Sequence, residues 1–456
     1  MPICSRRQAL AAFAAVAIRR PARAQQDPWA ALPSLLQRIQ APKFPARDFN
    51  VTKFGAKPDG KTDASDAFTR AIAEANRAGG GRVVVPEGVF LTGAIHLKSN
   101  VNLHIAKGAT IRFSPDPNQY PIVLTRFEGL ECMNYSAFVY ALDQENIAIT
   151  GEGTLDGQSS CDHWWGWSGK GGCGNGEGNQ RKARAALMEM AEKNTPVAER
   201  VMGKGSYLRP MFVQPYRCSN VLIEGVTILN SPMYEMHPVL CRNVTVRNVT
   251  VSSHGPNNDG CDPESCNGVL IDGCTFDTGD DCIAIKSGRN ADGRRVGVSS
   301  QNLIIRNCTM RDGHAGTAIG SEISGSCSNV FVEKCEMSSP NLVCALRLKS
   351  NAMRGGVLQN IFMRDVNVGL VKDSVLQIDF LYEEGARGDF KPVARNVVMD
   401  HITVAETPRV LNVRGFPAAT ISDVRIRNST FKDIQQPDTV VAADVKLEDC
   451  SLETAK

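Results

Sequence analysis

From Asn220 onward the chain restates one phrase, and that repeat limits its possible folds more than any other feature. The phrase reads NVLIEGVTI at 220, NVTVRNVTV at 243, GVLIDGCTF at 268 and NLIIRNCTM at 302. It returns as NVFVEKCEM at 329, NIFMRDVNV at 360, NVVMDHITV at 396 and DVRIRNSTF at 423. Each copy alternates apolar and polar residues, as a half-buried strand does, and an Asn or Gly commonly opens it, which suits a turn. Intervals of roughly 23 to 36 residues belong to solenoids. A propeller needs four strands per repeat of about 40 residues or more, and no amphipathic helix recurs, so helical repeats are excluded. The expected fold is all-β: a single right-handed parallel β-helix with two or three short strands per coil.

Other segments take places around that solenoid. RVVVPEGVFLTG (82–93) and NVNLHIAKGATIRF (100–113) read as first coils. Within 63–76, Ala67, Phe68, Ala71, Ile72 and Ala75 recur at helical spacing, with Thr62 or Asp63 placed to cap the start. A solenoid needs its open end covered, and this helix is the expected N-terminal cap. Residues 157–209 break the repeat with CDHWWGWSGKGGCGNGEG and a helical stretch from Arg181 to Lys193. They read as a partly helical insert within one domain, 48–452, being too small and Gly-rich for a good core of their own. Cys161 and Cys173 flank the Gly-rich loop and can pair in an oxidising compartment. Cys274, Cys308 and Cys335 fall in the slot of Val226, Val249 and Val366, so they read as interior residues.

Residues 1–24 read as an export signal of twin-arginine type: Ser5-Arg6-Arg7, an apolar stretch from Ala9 to Ile18, then Ala22-Arg23-Ala24 as the cleavage site. A periplasmic or secreted bacterial protein follows from it. Residues 25–47, with several prolines, read as a loose leader. The signal holds five arginines and no acid, so without it the formal charge of +3 becomes −2. A nearly neutral surface gives no reason to expect nucleic-acid binding. No other stretch approaches the roughly 18 apolar residues of a membrane span, and no C-x-x-C pair or His/Cys cluster has zinc spacing. No cofactor or metal is expected, and the chain reads as a monomer.

Aligning second strands on a shared serine places the ionisable residues. DGCDPES (259–265), DCIAIKS (281–287), AGTAIGS (315–321) and CALRLKS (344–350) superpose. Ile283, Ile285, Ile319, Leu346 and Leu348 take core parity, so Ala284, Lys286, Arg347 and Lys349 face outward. The columns are then Asp262, Ala284, Ala318, Arg347 and Glu264, Lys286, Gly320, Lys349. In the same register Asp280 stacks with His314, and Asp281 with Asp259. Asp281 nominally points inward, where an isolated carboxylate is prohibitively costly, so regular strand geometry is expected to begin only after it, with Gly260 and Gly279 permitting the bend. Glu264 beside Lys286 reads most simply as a surface salt bridge. His237 and His254 read as structural. Trp164, Trp165 and Trp167 either stack on sugar rings or pack the insert against the body.

Three clustered aspartates suit acetal hydrolysis, which needs one acid to protonate the leaving oxygen and a carboxylate to assist water. Arg347 and Lys349 suit an anionic sugar, so a uronic-acid polymer is the expected substrate class. NNDG (257–260), GDD (279–281), GHAG (313–316) and RLK (347–349) resemble, in order, the four signature motifs of glycoside hydrolase family 28, N-x-D, D-D, G-H-G and R-I-K. The resemblance runs from about residue 48 to 450. It implies an inverting polygalacturonase-type hydrolase that takes galacturonate-containing pectin, the polysaccharide partner. It also implies Asp280 as general acid, Asp259 and Asp281 as activators of water, His314 as tuner of the acid, and Arg347 and Lys349 as ligands of the galacturonate carboxylate. Asn257, from the first motif, and Tyr382, resembling a family tyrosine near the groove, join the substrate-binding set. Ala315 departs from the last Gly of G-H-G, and Leu348 from Ile.

The resemblance implies a different acid pair in rhamnogalacturonan-cleaving members, so the intact D-D pair leans toward homogalacturonan, with hydrolysis of rhamnogalacturonan or xylogalacturonan as the alternative. SGRNADGRR (287–295) and the insert resemble bacterial and plant members, some of which trim chain ends, so the insert suggests exo-action. Two rivals use the same architecture: a pectate-type lyase, which needs a base and commonly calcium, and a non-catalytic carbohydrate-binding solenoid, whose KFGAKPDGKTDASDAF-like start (53–68) is shared widely among such folds.

Overall fold

The computed structural model describes residues 27–170, 172–173 and 178–455; the export-signal reading of 1–24 lies outside the described residues. The repeat winds into a right-handed parallel β-helix, the hand that parallel crossovers take. One position of the phrase becomes a continuous buried column: Val221, Val244, Val269, Leu303, Val330, Ile361, Val397 and Val424 pair in parallel from coil to coil. Cys274, Cys308 and Cys335 lie buried beside Val226, Val249 and Val366, as their slot requires. The asparagine that opens a copy does more than turn the chain. Asn302, Asn329, Asn360 and Asn396 all have φ between 53° and 59°, and each amide from Asn329 on donates to the preceding one at 2.8–3.0 Å. Asn tolerates this left-handed backbone, and stacking gives each of those amide N–H groups an acceptor in the coil before.

Helix α1 spans Leu32–Arg38 and α2 spans Ser65–Arg77. The latter covers the N-terminal end as expected, burying all five periodic residues, Ala67, Phe68, Ala71, Ile72 and Ala75. Asp63 accepts the Ser65 N–H at 2.9 Å just ahead of it. The loose-leader reading is corrected from Asp27 on. A 3-10 turn, Pro28–Ala31, and α1 form a strap whose Trp29, Leu32, Leu35 and Ile39 pack on Leu270, Ile304, Phe331, Phe362 and Val398. Those five belong to the outward slot of consecutive copies, paired in register. Five stacked apolar side chains on the outside of a solenoid need a cover, and the strap supplies it.

The insert leaves the coils after a strand at Thr154–Asp156 and carries α3, Arg181–Glu192. Cys161 and Cys173 form a disulfide across its Gly-rich loop. An antiparallel hairpin, Ile122–Phe127 with Leu130–Tyr135, rises beside it, and Leu187, Ala191 and Leu208 of the insert, with Met211 just after it, share an apolar cluster with Phe127, Leu130 and Cys132. Residues 290–296 form α4 (Asn290–Val296), clamped to the hairpin through Asp292, which accepts the Glu131 N–H at 2.8 Å and pairs with buried Arg200 at 2.9 Å.

Candidate active site

A six-stranded parallel sheet, which includes Ala284–Ile285, Ala315–Ile319, Cys344–Lys349 and Ser374–Asp379, carries Arg347 and Lys349, while Asp259, Asp280, Asp281 and His314 lie outside its strands, His314 directly before one. Ala284 pairs with Ala318 and Ala318 with Arg347, and Glu264 bridges to Lys286. The strand begins only at Ala284, so the bend expected at Asp280-Asp281 is present. Gly260 and Gly279 serve it through space rather than through a left-handed backbone. A Cβ on Gly260 would meet Phe276 at 2.4 Å, and one on Gly279 would meet the Gly255 carbonyl at 2.6 Å. Gly313 needs both: its φ is +151°, and a Cβ would lie 2.7 Å from the Asp280 carbonyl oxygen. The Ala315 methyl, by contrast, sits in a small apolar cluster with Ala284, Ala318 and Cys344, so this departure from the motif is absorbed by packing.

Asp259, Asp280 and Asp281 each place a carboxylate oxygen within 4.8 Å of the others. Two ammonium groups meet them. Lys349 Nζ lies 2.6 Å from Asp281, and Lys286 Nζ lies 3.5 Å from Asp259 and 3.3 Å from Asp262. His314 Nδ1 is 2.9 Å from Asp280. Burial, then the charges of Asp262 and Asp280, push the Asp259 carboxyl well above the usual range despite Lys286. Asp280 is half-buried, and its bond to His314 with the charges of His314, Lys349 and Lys286 outweighs the cost of that burial and brings it to about 2. Neighbouring carboxyls thus titrate far apart, the pattern acid–base chemistry requires.

Arg347 donates to Gln377 at 2.6 Å and lies 3.9 Å from Asp281. Its guanidinium and the Lys349 ammonium stand 6.0 and 5.7 Å from the centre of the Tyr382 ring. Tyr382, Asn257, Asp259, Asp280, Asp281 and Lys349 line one basin; Arg347 stands at its edge beside Asp281 and Tyr382, and His314 lines a neighbouring depression with His254 and Asp312 and meets the basin only through Asp280. Glu264 does not pair with Lys286. It accepts from Arg126 at 2.7 Å and contacts His237 at 2.9 Å, and against burial these hold it at about 2. A second strand brings a better cation to it, which no pairwise alignment of coils displays. His237 is fully buried, as a structural histidine should be. His254 contacts Asp277 at 2.8 Å outside this basin. The tryptophans pack the insert: Trp164 is buried against Tyr120 and Phe138, Trp167 stands edge-on to Tyr207, and Trp165 donates to the Ser231 carbonyl at 2.7 Å.

Sequence reasoning missed the wall of the basin. Arg184 of α3 pairs with Glu128 of the hairpin turn at 2.6 Å, and Arg289 pairs with Glu128, Glu322 and Glu383 at 3.2–3.4 Å. Insert, hairpin and coil thereby lock along one side. The buried Arg209 and Glu235 behind Asn257 and Asp259 were missed as well; isolated charged letters outside the strands carry no periodic signal.

A profile described as Glycosyl hydrolases family 28 matches residues 199–407, and one described as rhamnogalacturonase A/epimerase, pectate lyase-like, matches 49–116. A crystal structure of a hyperthermoactive exopolygalacturonase from Thermotoga maritima is 46% identical, with a TM-score of 0.89 over 92% of this chain and 95% of that one. A probable polygalacturonase of Vitis vinifera is 27% identical, the match taking in 85% of this chain and 74% of that one. An exo-poly-alpha-D-galacturonosidase of Dickeya chrysanthemi is 28% identical over 72% of this chain and 56% of its own length.

Proposed function

The chain belongs to glycoside hydrolase family 28, and from that premise we propose that it is a polygalacturonase, cleaving α-1,4-galacturonosidic bonds of pectin by hydrolysis from chain ends. The observation that carries this reading is the meeting of Asp259, Asp280 and Asp281 within 4.8 Å, beside Lys349 and Arg347. Asp280 is the proposed general acid and Asp259 with Asp281 the groups that activate water. Arg347, Lys349, Asn257 and Tyr382 hold the sugar. In the free protein the cations around Asp280 keep it ionised. A galacturonate carboxylate arriving at Lys349 and Arg347 offsets those charges, and Asp280 then takes up the proton that Asp259 holds in the free protein, which leaves Asp259 ionised to activate water. Exo-action is supported by the Arg184–Glu128–Arg289 wall, which ties the insert to the hairpin along one side of the basin. Residues 1–24 serve as the export signal, 48–452 as the catalytic domain, and the working form is the monomer.

The carboxyl oxygens stand closer than the separation of about 6.5–9.5 Å usual for inverting enzymes; inversion rests on the family. Reducing-end release from polygalacturonate, rhamnogalacturonan and xylogalacturonan tests the substrate, with polygalacturonate expected to dominate. Proton NMR of the first product tests inversion: the β-anomer appearing first supports it, and the α-anomer refutes it.

A further inference from the structure

Arg209 is fully buried between the insert and the proposed active site. Its Nη2 donates to Asn257 Oδ1 at 2.9 Å, and Nη1 donates to the carbonyls of Pro232, at 3.0 Å, and Pro256. Nε donates to Gln180 Oε1 at 3.2 Å. Gln180 itself is buried, its N–H bonded to the Trp167 carbonyl at 2.8 Å and its carbonyl to Arg184 N at the start of α3. One guanidinium therefore joins the insert to the loop 255–259, which carries both Asn257 and Asp259. All four acceptors are neutral. A buried cation held only by dipoles is costly, and burial pulls Arg209 down to about 10, with the charges of Glu128, Tyr234, Asp259 and Asp280 opposing.

We propose that Arg209 is a positioning residue for the reaction: its fork sets the Asn257 side chain and the Asp259 loop against the insert, so the wall of the basin and the catalytic carboxylates move as one body. The proposal rests on the hydrolase reading above. Lysine keeps the charge but presents no planar fork and cannot reach four diverging acceptors. Misplacement by about 1 Å costs on the order of 10²-fold in rate.

Kinetics on polygalacturonate with Arg209→Lys, Arg209→Met, Asn257→Ala and the Arg209→Lys/Asn257→Ala double variant test it, each checked for folding by circular dichroism. Arg209→Lys is expected to lower kcat/KM by about 10²-fold, and the double variant to fall within about threefold of the worse single one, because both changes release the same side chain. Independent multiplication of the two effects, or full activity of Arg209→Lys, overturns the proposal. The charge gives a second readout. Loss of the cation in Arg209→Met makes Asp259, a proposed activator of water, harder to ionise, so the acidic limb of kcat/KM moves to higher pH, while in Arg209→Lys it stays. A limb that moves equally in both, or in neither, contradicts it. Should Arg209→Met not fold, the lysine cycle decides alone. If the unmodified protein does not cleave polygalacturonate, the hydrolase reading fails; if it does and the cycle is additive, only the Arg209 inference fails.

Discussion

His314 is tied twice to Asp280: its ring Nδ1 lies 2.9 Å from the carboxylate, and its backbone N–H donates to the Asp280 carbonyl at 2.9 Å. The acid's ionisation and its position thus depend on the same neighbour. Asp280→Asn removes the donated proton and keeps the shape, so kcat is expected to fall by about 10²–10⁴-fold with an unchanged circular dichroism spectrum. Retained turnover would remove the residue from its proposed role.

The bond to Asp280 raises the His314 pKa above its ordinary 6.5. The ring is therefore charged below that value and discharges as pH rises through its folded pKa. Activity that depends on the charged ring should decline on the alkaline side, and His314→Asn should lose that limb while lowering the rate throughout. A pH–rate profile of the two proteins checks it; an identical alkaline limb in His314→Asn speaks against the assignment.

Lys349 and Asp281 form a buried pair at 2.6 Å, with side chains 8% and 1% exposed. Lys349→Met strands the carboxylate, which for buried pairs costs about 3–5 kcal/mol, and it also removes a ligand of the sugar carboxylate. A lower denaturation midpoint together with a raised KM is expected. The double variant Lys349→Met/Asp281→Asn should recover most of the stability and none of the activity.

The fold was legible because its information is periodic. Val221 to Val424 repeat in a slot that any strand alternation exposes, and the same register brought Asp280 to His314 and Asp259 to Asp281. What stayed hidden is aperiodic. Arg126 reaches Glu264 from a hairpin 138 residues earlier, and Arg209 reaches Asn257 from the end of the insert. One periodic signal was present and unread: Leu270, Ile304, Phe331, Phe362 and Val398 break the outward polarity in consecutive copies, which announces the strap.

Glu235 is fully buried, and neither carboxyl oxygen has a hydrogen bond of good geometry, Ser253 being its nearest side-chain partner. Burial, with the charge of Asp259, pushes its pKa well above the ordinary 4.5. The folded chain then holds a proton that the unfolded chain releases above about pH 4.5, so stability falls as pH rises past that point. Glu235→Gln should raise the melting temperature at neutral pH by about 1–3 °C and leave it unchanged at pH 4. Equal effects at both pH values would show the carboxyl to be ionised in the fold.

The most direct test of the account is chromatography of the earliest products from long polygalacturonate, run with the unmodified protein and with Asp280→Asn. Saturated galacturonate monomer from the first minutes, and none from the variant, is the predicted result. Unsaturated, ultraviolet-absorbing ends, an early ladder of oligomers, or monomer release by Asp280→Asn at the unmodified rate would contradict it.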